Sequence, residues 1–222
     1  MLAFGAAHAE AFFWVAAQLA FGVLGAALWP RLKRLAGETS ADVAAGARLA
    51  HALAIPYLAL LLGSISARDT GLVWVDAQPY FLGDWLKALA WAAGWGTLAG
   101  VVYAWRGVYP GATPDNALLD ECRWAFYRGA ALGWVSSSLA APMSLPQSLL
   151  GVTLGLGMAA LEWGVVRGVH LATGEPVVPA AGWLARAGLS ACVFFFSRNL
   201  WVTLAVGMLV PFGLYHWRTH HA

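Results

Sequence analysis

The residues best equipped for chemistry in this chain are gathered in one run, Asp120-Glu121-Cys122-Arg123-Trp124-Ala125-Phe126-Tyr127-Arg128-Gly129. It sets two carboxylates and two guanidiniums at the mouth of an otherwise apolar segment. A carboxylate pair can serve acid–base catalysis when its members hold different protonation states. Near a helix N-terminus the same pair is simply favoured by the helix dipole. Glu121 and Arg128 lie seven apart, two turns along one face of a helix. At ~1.5 Å per residue this puts Arg128 about 10 Å further along the axis.

Glu162, Arg186 and His51 are further ionisable groups inside apolar runs. Such residues are costly in a bilayer, face the bundle interior and mark candidate sites. Matched depth and opposite charge predict a buried Arg128–Glu162 ion pair in the inner leaflet. His51, Arg186 and Asp120 form the polar cluster expected around it. The catalytic candidates are Glu121, Glu162 and Arg128. The competing reading is that these charges only hold helices together, with Arg123 and Arg186 snorkelling to the interface.

His51 and His216 are candidates to ligate a metal such as zinc, or the magnesium of a chlorin pigment. A wall containing several of the 13 tryptophans would suit a chlorin or carotenoid. The plainer reading makes both histidines interfacial polar groups, and nothing in the sequence requires a cofactor. The terminal His220-His221 pair has no scaffold around it. Cys122 and Cys192 fall in apolar helices without ligand spacing, as free thiols do. No Gly-rich phosphate loop, His-Glu-x-x-His, Cys-x-x-Cys or Gly-x-Ser-x-Gly occurs, and Ser136 to Ser138 have no base beside them.

The elements that must position these groups follow from composition. Of 222 residues, 60% are hydrophobic and 11% charged, with a mean hydropathy of +0.66. Soluble domains carry about 25% charged residues, so the surface of this chain must face lipid. A net charge of +2, scattered over short loops, gives no footprint for nucleic acid. Ala7-His8-Ala9 resembles a cleavage site but lacks a positive region and an apolar stretch before it, so the segment is expected to stay in the mature chain.

Apolar runs of about 20 residues predict an all-α, polytopic integral membrane bundle with about seven spans and no separate soluble domain. The spans are expected at 11–29, 43–66, 86–105, 116–140, 147–166, 180–196 and 199–217. Pro30 is expected to close the first, and Pro56 to kink the second. Thr113 and Pro114 are expected to start the fourth as cap and first helical residue. The sixth is short enough for a half-crossing. Gly96-x-x-x-Gly100 and Gly151-x-x-x-Gly155 offer faces for close helix neighbours.

The loop 67–84 mixes aromatic residues such as Trp74 and Tyr80 with charges, as a membrane interface selects. Arg31, Lys33, Arg34, Arg106 and Arg167 fall on one side, with Arg68 and Arg198 as exceptions. The positive-inside rule then places the N-terminus outside and the C-terminus in the cytoplasm, in a prokaryotic inner or plasma membrane.

The order of elements over residues 80–217 resembles the CPBP family, the CAAX-protease and bacteriocin-processing group of intramembrane proteases. The resemblance lies in Asp120-Glu121 followed by Arg128-Gly129, and in Ser197-Arg198-Asn199-Leu200-Trp201-Val202-Thr203-Leu204. It implies a site in which glutamates and histidines activate water for peptide cleavage. The motif residues depart from the family pattern. Ala125 stands where the arginine of Glu-Glu-x-x-x-Arg belongs, Glu162 takes the place of one histidine, and Phe195 that of the other, four before Asn199. Chemistry that needs imidazoles cannot run without them.

The resemblance therefore implies a retained fold and a lost protease site. The expected function is a non-catalytic scaffold or accessory subunit whose partners are membrane lipids and other integral membrane proteins. The alternatives are an intramembrane protease or hydrolase using Glu121, Glu162 and Arg128, and a pigment- or lipid-binding subunit.

Overall fold

The computed structural model describes residues 2–72, 82–106, 114–138, 144–175, 177 and 179–221, with the backbone alone at 2–8, 82–84, 105–106, 114–115, 138, 211 and 214–221. The chain is all-helical across these residues, without strands. In order come α1 (Leu2–Ala36), a single 3-10 turn (Gly37–Thr39), α2 (Ser40–Leu61), α3 (Leu82–Arg106), α4 (Pro114–Ser138), α5 (Leu145–Thr173), α6 (Ala180–Ser197) and α7 (Leu200–His221).

Specific contacts fix the helix directions. Gly37, at a φ of 54°, turns the chain so that α2 runs back along α1, and Gln18 Nε2 then donates to the His51 carbonyl at 2.9 Å. Helix α5 runs with α1, Gly22 lying beside Glu162 and Lys33 Nζ sitting 3.6 Å from Glu175. It runs against α4, because Gly151 faces Leu132 and Gly155 faces Arg128. Helix α6 is parallel to α4, with Arg186 at Asp120 and Ser190 at Arg128. Helix α3 is antiparallel to α6, joined by Tyr103 Oη donating to the Ala185 carbonyl at 2.7 Å and by Trp91 stacked on Phe196. Helices α1 to α6 therefore alternate in direction.

The bundle is organised around α4. Every residue from Trp124 to Leu132 is buried, the pattern of a helix enclosed on all sides. Helices α1, α2, α5 and α7 all pack against it, and α6 meets it through Arg186 and Ser190. Its neighbour α5 comes unusually close. A Cβ on Gly155 would stand 2.7 Å from Arg128 Cα and 2.9 Å from its backbone nitrogen, so only glycine fits there. In the first small-residue pair, Gly96 meets Val206 and Val210 at ordinary contact distances, and Gly100 has nothing within 4 Å.

The exterior is apolar. Phe12 is 73% and Leu145 72% exposed, with exposed leucines along all of α1 to α5. The buried set instead includes Gln18, Glu121, Arg128, Glu162, Arg186 and Asn199. Water-soluble proteins keep charge outside, and here the arrangement is inverted. Three helical stretches are long and apolar enough to cross a membrane, namely Ala9–Leu61, Leu145–Thr173 and Ala180–Ser197. The first is the α1–α2 hairpin. Helix α4 is not among them, because Asp120, Glu121, Arg123 and Arg128 make it too charged.

Several boundaries differ from expectation. Pro30 does not close α1, which continues to Ala36; proline removes one amide donor there, and Arg34 Nε donates to the Pro30 carbonyl at 3.2 Å. Helix α2 ends at Leu61, not residue 66. The following turns fold inward, with Ile65 and Thr70 against Gly129. They also meet the α6–α7 turn, where Leu200 N donates to the Gly71 carbonyl at 3.1 Å. Helix α5 starts at Leu145, earlier than residue 147, through a capping box of Ser144 and Gln147. Thr113 and residues 73–81 and 139–143, including Trp74 and Tyr80, lie outside the described residues.

Candidate functional site

Helix α4 presents its charges in two directions. On one side Arg128 binds Glu121 two turns back on its own helix. Its Nη1 also donates to Ser190 Oγ at 2.5 Å, and its guanidinium lies 4.4 Å from the Phe194 ring centre. Glu121 and Arg128 are 1% and 2% exposed. Helical side chains lean toward the N-terminus, so an arginine and a glutamate close the two-turn gap between their Cα atoms. Beside Glu121 lies a cavity of about 10 Å³, lined by Tyr103, Trp124, Arg186 and Ser190 among others. That is room for about one water molecule.

On the other side, nearer the α1–α2 turn, four helices contribute to one network. Glu162 Oε1 of α5 lies 2.7 Å from His51 Nε2 of α2. Its Oε2 lies 3.6 Å from Arg123 Nη1. Arg123 also binds Asp120, one turn earlier, and its Nη1 lies 3.4 Å from His51 Nδ1. Arg186 of α6 completes the line, with Nη1 2.9 Å from Asp120 Oδ2 and its guanidinium 5.7 Å from the Trp124 ring centre. A neutral His51 with its proton on Nε2 turns an N–H toward Glu162 and a lone pair toward Arg123. The charges balance: Asp120, Glu121 and Glu162 against Arg123, Arg128 and Arg186.

The expected Arg128–Glu162 pair is not formed. The α4–α5 register puts Gly155 level with Arg128 and Gly151 level with Leu132. Continuing it antiparallel sets Glu162 level with Glu121, about 10 Å from the Arg128 Cα. The expected depths were wrong by two turns. Arg123 and Arg186 do not snorkel, since both are engaged by Asp120. Asp120, Arg186 and His51 do meet in one network, with Arg123 as its hub.

Both ring nitrogens of His51 face protein groups, Nε2 toward Glu162 and Nδ1 toward Arg123. Among the described residues no three of His, Cys, Asp and Glu converge as a metal set. The His216 side chain lies outside the described residues. Cys122 and Cys192 are free thiols.

Asn199 is a cap for α7. Its Oδ1 accepts from Trp201 N at 2.9 Å and Val202 N at 3.2 Å, and its burial to 1% exposure follows from that role. Arg198, in the turn between α6 and α7, adopts a φ of 51°. Burial pushes its guanidinium down from the usual range, opposed by Asp69. Gln18, 0% exposed, escaped the sequence reading although it is the one amide in the run 11–29.

The fold and the site define an all-helical bundle with an apolar exterior and a charge-paired interior. Comparison with protein-family models, curated proteins and solved structures finds no match.

Proposed function

We propose that this chain is a seven-span membrane protein that serves as a non-catalytic scaffold or accessory subunit, packing against other integral membrane proteins and lipid. The observation that carries this reading is the pairing of Asp120, Glu121 and Glu162, each with a cationic or imidazole partner. Catalytic carboxylates need an open face toward substrate. The cavity beside Glu121 is water-sized. The pairs that cross between helices, Glu162 with His51 and Asp120 with Arg186, join α5 to α2 and α4 to α6.

The alternation of helix directions and the apolar exterior support seven crossings, including α3 and α4. Lys33 beside Glu175 groups the basic connectors after α1 and α5 at one end, which fits an outside N-terminus, a cytoplasmic C-terminus and a prokaryotic cell membrane. The CPBP-like arrangement of residues 80–217 remains part of the proposal, with its protease site lost.

Purification in mild detergent tests the function. Recovery in a complex with other membrane proteins is the expected result. A monodisperse monomer without partner would contradict it. So would a peptidase activity that disappears in the Glu121→Gln, Glu162→Gln double variant.

A further inference from the structure

We propose that His51 is a proton-operated latch between α2 and α4, and that its protonation releases Arg123. The imidazole stands between a carboxylate and a guanidinium from two different helices, Glu162 Oε1 at 2.7 Å and Arg123 Nη1 at 3.4 Å. As a neutral ring protonated at Nε2 it stands between them, with an N–H toward Glu162 and the Nδ1 lone pair toward Arg123. A second proton goes to Nδ1, the atom facing Arg123. Two donors and two positive charges then confront each other across a mostly buried contact, each side chain 19% exposed, where they repel.

The surroundings decide which group yields. From α5, Glu162 keeps its contact with the ring and gains an opposite charge. From α1, Gln18 is tied to the His51 carbonyl and Phe21 lies 5.9 Å from the ring centre; neither offers a counter-charge. From α4, Asp120 already holds Arg123 and supplies an alternative seat, and Tyr127 is uncharged. On α2 itself, Arg48 is engaged by Asn116 at 3.2 Å on the exposed rim. Asp120, Glu162, Arg123 and Arg186 sum to zero, so the second proton leaves a net positive site. Arg123, 19% exposed and with a second partner, is the group free to move. Protonation therefore tightens α2 to α5 and loosens α2 from α4. The inference concerns the network alone and is independent of any partner.

The test uses the full chain in detergent. With Cys122 and Cys192 replaced by alanine, spin labels are placed on the exposed positions 45 of α2 and 118 of α4, and their separation is measured at about pH 8 and about pH 5. The expected result is one short distance at the higher pH and a longer population at the lower. His51→Gln, which cannot titrate, is expected to keep one distance at both. An identical pH response in His51→Gln would overturn the latch. Should His51→Gln fail to fold, nitrogen-15 spectra of the wild-type histidines decide. An Nε2–H tautomer converting to imidazolium with a concurrent shift of an arginine side chain supports the proposal. An Nδ1–H tautomer, or a ring that stays neutral at pH 5, refutes it.

Discussion

The two charged regions on α4 are built from the same residue types and differ in redundancy. The Glu121–Arg128 pair is 1–2% exposed and comes from one helix, with Ser190 and the Phe194 ring as its further supports. The network around Arg123 draws on four helices, and its Asp120 and Arg123 side chains are 16% and 19% exposed. In the first region, removing one member leaves a bare charge in an apolar interior. In the second, Asp120 holds both Arg123 and Arg186 and Glu162 faces both His51 and Arg123, so losing Glu162, Arg123 or Arg186 leaves the neighbours with another partner. Burial and partner number, more than charge itself, set what each residue contributes.

The largest effect should come from Arg128→Leu. Breaking a buried pair by removing one partner costs about 3–5 kcal/mol, so folded yield and the thermal midpoint in detergent should collapse. An Arg128→Leu protein as stable as wild type would erase the distinction between the two regions. Next is Gly155→Ala, which drives a Cβ into the Arg128 backbone and should cost about 1–3 kcal/mol. Its control is Gly157→Ala, where nothing lies within 4 Å and no loss is expected. Glu162→Gln should cost less, about 1–2 kcal/mol, since His51 keeps a partner and Arg123 keeps Asp120. Smallest is Lys33→Ala, where the bridge to Glu175 has a lysine 54% exposed and should contribute below about 1 kcal/mol. Thermal midpoints of the four variants in one detergent would rank them.

Sequence patterns carried the helices better than the pairing. Apolar runs marked the α1–α2 hairpin, α5 and α6 because lipid-length hydrophobicity is a local property. Their ends were harder to place. Pro30 sits inside α1 since a helix can lose one donor without ending, and Ser144-Leu145-Pro146-Gln147 carried a capping box that fixes the start of α5. The partners of Arg128 depended on the α4–α5 register, which is set by Gly155 meeting a backbone 27 residues earlier in the chain. No local pattern contains that register. Asp120 with Arg123, three apart, was a readable pair. His51 stood out as an ionisable group inside an apolar run, whereas the participation of Gln18 required knowing that α1 and α2 fold together against α5.

The interior charges are proposed to stabilise the bundle rather than act on a substrate, and the most buried pair, Glu121 with Arg128 on α4, should show it. A double-mutant cycle of Glu121→Leu and Arg128→Leu, read as thermal stability in detergent, measures that contribution. The predicted result is two strongly destabilised single variants and a double variant that recovers most of the loss, a coupling of about 2 kcal/mol or more. Additive losses, with the double variant worse than either single one, would contradict it.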